Sequence, residues 1–191
     1  AMISVTRSTY GTLCSLEKDD IDGNLILFSD VDGTTFKIYD RTSNTVSAAA
    51  ASIPVGIPFW WMLCGATGQS AAYFRRIDQA TLTSATNYND ATWTPANLHI
   101  GYDLYDEWFN GLIWDVRVWN RQLTAAEALA ESRSSRPVSA RDLNLAWPMR
   151  TAQDLRDISG NGRQPTVGGT IATEFANAER RTRRARFPTR N

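Results

Sequence analysis

The chain has 191 residues, 42% hydrophobic and 21% charged, with 20 basic against 20 acidic side chains and a formal net charge of zero. A domain of this size buries roughly two-thirds of the surface its unfolded chain exposes, so a core forms without a metal or disulfide staple; disorder and a disulfide scaffold are excluded as overall classes. The zero averages two unlike parts. From Phe175 onward six Arg accompany one acid, whereas residues 1–174 hold 14 basic and 19 acidic groups. The sequence therefore divides into a mildly acidic folded body, 1–174, and a basic tail, 175–191.

Taken in chain order, the periodicity is mostly that of strands. Short β-branched and aromatic runs over Ile3–Ser8, Thr12–Leu16, Asn24–Ser29 and Thr35–Asp40 read as a meander. Asp22-Gly23-Asn24 and Asp32-Gly33-Thr34 supply its hairpin turns, because Gly tolerates the positive φ of a two-residue turn. Residues 42–58 carry Pro54, Gly56 and Pro58 and read as a loop. Phe59–Thr67 and Ala71–Arg76 flank a hairpin at Gly68-Gln69, and Thr81–Ala85, Leu98–Tyr102 and Leu112–Trp119 complete the main set. A short helix follows over Leu123–Glu131, with Thr124 as N-cap and Glu127 three residues later as its capping-box partner. After a polar connector, Ser132–Arg141, strand character resumes at Leu143–Trp147 and Thr166–Ile171, around the turn Asp157-Ile158-Ser159-Gly160-Asn161-Gly162.

No charge occurs between Arg41 and Arg75, yet the prolines and polar ends leave fewer than the ~20 continuous apolar residues of a membrane span. The start shows no charged segment followed by an apolar core, and Ala1 ahead of Met2 reads as a cloning remnant, leaving a removed leader open. Cys14 and Cys64 each lie in an apolar run. They read as buried thiols, or as one disulfide if their strands are neighbours.

Residues 109–127, Phe-Asn-Gly-Leu-Ile-Trp-Asp-Val-Arg-Val-Trp-Asn-Arg-Gln-Leu-Thr-Ala-Ala-Glu, carry a Phe-x-Gly turn, an apolar/acidic/Arg strand, an aromatic-Asn-Arg corner and a short Leu-Thr-x-x-Glu helix. With the later Asp157-Ile158-Ser159-Gly160-Asn161-Gly162, this stretch resembles the laminin-G-like branch of the concanavalin A-like lectin/glucanase superfamily. The resemblance implies a two-sheet antiparallel jelly roll, in agreement with the strand and turn spacing. Two features depart from the family pattern. Phe59-Trp60-Trp61-Met62-Leu63 lacks the family's histidine and following aspartates, and the Asp157 element comes after the helix instead of opening the domain.

Hydrolytic members of that superfamily need two carboxylates on one strand face. Here Asp115 has Arg117 as its neighbour two residues on, which suits an ion pair and defeats a carboxylate pair. His99 is the only histidine, so a multi-histidine metal site is excluded and no Ser-His-Asp arrangement is signalled. A non-enzymatic protein follows, with a glycan hydrolase as the third-ranked reading. Asp30 and Asp32 bring oxygen ligands onto a Gly turn, and calcium-dependent relatives imply Ca2+ as an optional ligand there; turn chemistry explains both without a metal. The loop Tyr102-Asp103-Leu104-Tyr105-Asp106-Glu107-Trp108 offers ring faces for sugar C–H surfaces and carboxylates for hydroxyls. Tyr102, Asp103, Tyr105, Asp106 and Trp108 are thus the candidate ligand residues, for a glycan or equally a protein surface. The tail residues Arg180, Arg181, Arg183, Arg184 and Arg186 form a partner-binding candidate for an acidic surface, a second copy or phosphate; with only Phe187 to stack, sequence-specific nucleic-acid recognition is not expected. The leading expectation is a lectin-like binding module at a cell surface, outside the cell or on a virion. The rival is a structural protein of a virus or phage particle anchored by the tail.

Overall fold

The computed structural model of the protein describes residues 1–3, 10–18, 24–66, 68–89, 96–103, 107–149 and 155–166. In chain order they form β1 (Met2–Ile3), β2 (Gly11–Glu17), β3 (Asn24–Ser29), β4 (Thr35–Asp40), β5 (Thr45–Val46), β6 (Ala51–Ser52), β7 (Phe59–Ala66), β8 (Gly68–Arg76), β9 (Thr83–Asn89), β10 (Asn97–Ile100), β11 (Gly111–Leu112), β12 (Val116–Trp119), α1 (Ala125–Glu131) and β13 (Leu143–Trp147). The described residues are mostly strand with one short helix, in agreement with the all-β expectation. They fall into two compact units, Met2–Gly111 and Leu112–Asn191 with Ala1.

In the first unit β10, β2, β3, β4 and β5 follow one another across a sheet, with β6 also on β4; a second sheet has the order β7-β8-β9. Strand β4 shows why they pack. Phe36, Ile38 and Asp40 are buried while Thr35, Lys37 and Tyr39 are half-buried, the period of two that sends alternate side chains to opposite faces. Phe36 meets Phe59 of β7 and Phe74 of β8, each at a ring-centroid distance of 5.2 Å. Leu13, Leu25, Leu27 and Ile53 are buried as well, giving a sandwich interior between two antiparallel sheets.

Several boundaries differ from the sequence expectation, each for a pairing reason. Residues 42–58 are not all loop, because β5 and β6 supply partners to the far edge of β4. Strand β9 runs on to Asn89, since it pairs with β8 from Phe74 back to Gly68. The β7–β8 turn falls one residue earlier than expected: Ala66 pairs with Gln69 across it, and Gly68 takes φ +86°. Asp115, at φ +57°, breaks the expected strand Leu112–Trp119 into β11 and β12. Trp60, Trp114 and Trp147, although each lies in an apolar run, are half-buried. Cys14 and Cys64 are buried thiols with no disulfide, and burial drives the Cys14 thiol far above its ordinary range. The turn at Asp22-Gly23, most of Ile3–Ser8 and all of the expected strand Thr166–Ile171 after Thr166 lie outside the described residues.

In the second unit β12 pairs with β13, Val116 opposite Trp147. The capping box of α1 forms as expected: Thr124 Oγ1 accepts from the Glu127 amide, and Glu127 accepts from the Thr124 amide. Arg121 adds two bonds to the same carboxylate and, with the Thr124 amide, pulls it down to about 2. Arg117 is 5% exposed and grips Asp115 through Nε at 3.0 Å and Nη2 at 2.6 Å. Its Nη1 reaches Glu131 of α1 at 2.5 Å, so the helix is tied to β12.

Asp157 organises the turn that the sequence singled out. Its Oδ1 accepts from the Ala146 and Ser159 amides, and its Oδ2 from the Ser159 hydroxyl and the Arg163 amide. Burial alone would raise this carboxyl, but those four donors outweigh it and hold the group far below the usual range. Asp157→Ala is expected to cost about 2–3 kcal/mol, measured by urea unfolding at pH 7. Because the folded-state value is depressed, this contribution is present above about pH 4 and fades as pH falls further. An Asp157→Ala variant as stable as the parent would show that the turn is held by its glycines alone.

Candidate functional site

The aromatic and acidic loop starts where β10 ends. Gly101 takes φ +84°, turning the chain, and its amide donates to Leu13 O at 2.9 Å. The returning segment is fastened twice: the Phe109 amide donates to Gly101 O at 2.8 Å, and the Thr12 amide to Glu107 O at 3.0 Å. Trp108 thereby lies beside Thr12 of β2 in a parallel bridge. Gly11 makes this approach feasible. A Cβ there would lie 2.9 Å from Ser29 Oγ and 3.3 Å from the Trp108 carbonyl oxygen, so any other residue pushes the segment outward.

These fastenings bring the two ends of the loop together. The Tyr102 and Trp108 rings stack at 4.8 Å with planes 18° apart, and His99 meets Tyr102 edge-on at 4.7 Å. Trp108 is 43% exposed, so the row runs from a part-buried imidazole to an open indole. Beneath it lies a polar cluster that sequence reasoning missed. Glu17 is wholly buried, with Ser15 Oγ donating to Oε1 at 2.5 Å and His99 Nε2 2.9 Å from Oε2. The Nε2 and Oε2 atoms are within ion-pair distance, but no directed hydrogen bond joins them. A signal did exist: Ser15 and Glu17 alternate with apolar residues on one strand, which puts both on one face, and His99 stands opposite Ser15 on β10.

Asp103 corrects the expectation that it faces a ligand. It is 1% exposed, accepting from Thr12 Oγ1 at 3.2 Å and from the Glu107 amide at 3.3 Å, so it anchors the loop from inside. Burial, then the charge of Asp103 and a hydrogen bond to it, raise the Glu107 carboxyl to about 7, against a smaller opposing pull from Arg41. Tyr105 and Asp106 lie outside the described residues, as do Arg180, Arg181, Arg183, Arg184 and Arg186.

The calcium candidates do not fit a cation. Asp30 pairs with Lys37, an ammonium where a metal would need an open carboxylate, and Asp32 spends its oxygens on the Thr34 and Thr35 amides and the Thr35 hydroxyl. Among the described residues no group of three or more His, Cys, Asp or Glu is placed to hold a metal, and no helix is long and apolar enough to cross a membrane. Comparison with protein-family models and with curated proteins returns no match.

Proposed function

We propose that the protein is a non-catalytic, lectin-like module of the concanavalin A-like jelly-roll type, binding glycan on the exposed face of Trp108. The observation that carries this reading is the Tyr102–Trp108 stack, which holds a 43% exposed indole in a fixed orientation. A preordered ring accepts the C–H face of a pyranose without first losing side-chain freedom. Support for a non-catalytic role comes from two acids. Asp115 is consumed by Arg117, and Asp103 is too deeply buried to attack a glycosidic carbon.

A glycan array followed by titration of each hit tests the reading. Trp108→Ala is expected to weaken binding about 30-fold or more, as for other central aromatic anchors. An array blank at high protein concentration would sink the proposal. The rival, a structural protein of a virus or phage particle, rests on the Arg-rich tail against an acidic body. Removing residues 175–191 separates the two readings: loss of assembly with unchanged glycan binding favours a tail-anchored particle component, whereas intact assembly overturns it.

A further inference from the structure

We propose that His99 is a positioning residue for the Trp108 platform, seated by the buried Ser15–Glu17 pair and acting through the edge-on contact it makes with Tyr102. The inference rests on the binding role just assigned to Trp108, and it concerns what fixes the orientation of that ring.

The contacts form an unbroken series from the sheet to solvent. In the register of β10 on β2, His99 stands opposite Ser15 and Asn97 opposite Glu17. Ser15, Glu17 and His99 therefore share one face, with the imidazole as the diagonal neighbour of the carboxylate. Ser15 Oγ donates to Glu17 Oε1 at 2.5 Å, and His99 Nε2 lies 2.9 Å from the other oxygen, Oε2. Next comes the Tyr102 ring, 4.7 Å from the imidazole with planes 85° apart, and then the Trp108 ring stacked on Tyr102 at 4.8 Å. Tyr102 is thus the link between a ring seated on the sheet and the exposed indole.

The imidazole is placed to orient this series and not to meet a ligand. Its side chain is only 17% exposed, so a sugar resting on the indole has no need to touch it. Nor does stability call for polar groups at this place. Glu17 Oε2 and His99 Nε2 are buried without a directed hydrogen bond, an arrangement that apolar groups of the same shape match or better. What the pair supplies is a defined seat. Histidine χ2 is intrinsically broad, and setting Nε2 against an oxygen of a carboxylate that Ser15 holds by the other oxygen selects one ring plane. The edge-on contact with Tyr102 depends on that plane, and the Tyr102 face in turn carries Trp108.

The test needs no ligand. The order parameter of the Trp108 indole N–H, from 15N relaxation with the resonance assigned by Trp108→Phe, reports whether the ring is held. In the parent it is expected near the roughly 0.85 of a rigid site. His99→Gln keeps an N–H donor for Glu17 but has no ring. Its urea midpoint is expected to stay close to the parent's, while the indole order parameter falls below about 0.6. A residue with a structural role alone would move the midpoint and leave the indole unchanged. Glu17→Leu with His99→Phe returns a ring to position 99 in an apolar seat, and is expected to restore the parent's order parameter. Unchanged indole order in His99→Gln, or a parent indole already below about 0.6, would overturn the proposal. If His99→Gln does not fold, Glu17→Leu combined with His99→Leu is compared with Glu17→Leu combined with His99→Phe, two apolar seats that differ only in the ring. Order lost with Leu and kept with Phe supports the proposal, and equal order in the two sinks it. An array without hits beside a loss of order in His99→Gln would refute the glycan reading and leave the positioning role standing. Hits that depend on Trp108 beside unchanged order would do the opposite.

Discussion

Arg117→Ala is expected to lower the unfolding free energy of the Leu112–Asn191 unit by about 3–5 kcal/mol, the usual cost of removing one partner from a buried ion pair. The guanidinium is 5% exposed and serves two carboxylates and two carbonyls at once: Asp115, Glu131, Ser134 O and Arg136 O. Its loss leaves Glu131, itself 1% exposed, with only the Val138 and Ser139 amides, both on Oε1. The second oxygen is then buried and unpaired. Arg117→Lys retains charge but not the fork, and recovers only part of the loss because an ammonium cannot meet Asp115 through two parallel N–H groups. Urea unfolding followed by far-UV circular dichroism measures both. A midpoint for Arg117→Ala within error of the parent would show that the helix is held by capping and apolar burial instead.

The second large effect is expected for His99→Ala in the other unit. Glu17 is wholly inaccessible, and without the imidazole its carboxylate keeps the Ser15 hydroxyl on Oε1 but loses the ring nitrogen that stands 2.9 Å from Oε2. The expected cost is about 1–3 kcal/mol, that of leaving a buried polar group without its neighbour. Removing both groups is a different experiment. Glu17→Leu with His99→Phe replaces the pair by apolar groups of similar volume and is expected to restore most of the stability, since a buried polar pair rarely outperforms good packing. Phe at 99 also preserves a ring edge against Tyr102. If the single His99→Ala change proves neutral, the 2.9 Å contact contributes nothing and the polar cluster is held by Ser15 alone.

What was legible in the sequence was local. The alternation of Thr35–Asp40, the Thr124–Glu127 capping box and the Asp115–Arg117 pair all join residues at most three positions apart, and the structure contains all of them. The Asp32-Gly33 signal likewise located the β3–β4 hairpin, although its connection is longer than the two-residue turn expected: the Asp30 amide donates to Thr35 O, and Asp32 caps the chain as it re-enters the sheet. At the candidate site the misreadings are long-range. Asp103 looks solvated because its acceptor role depends on Thr12, 91 residues earlier, coming opposite the loop. Glu17 and Glu131 look like surface acids until strand pairing and helix docking set His99 and Arg117 beside them. The short strands β5 and β6 lie in a Ser/Thr/Ala-rich stretch with no periodicity, and they become strands only because β4 offers open hydrogen-bonding groups.

That last pairing has a colloidal consequence. Strand β4 would otherwise present a bare edge, which is a template for joining a second chain strand to strand. Instead its outward groups are taken one after another: Ile53 and Ala50 donate to Thr34 O and Phe36 O, and Ser47 donates its amide to Ile38 O while its hydroxyl receives the Ile38 amide. Residues 45–53 thus work as a selvedge, the woven border that stops a cloth from unravelling or being sewn to its neighbour. A stretch without a single charge keeps this side of the sheet from growing, and it does so by covering the backbone where other proteins rely on repulsion between lysines.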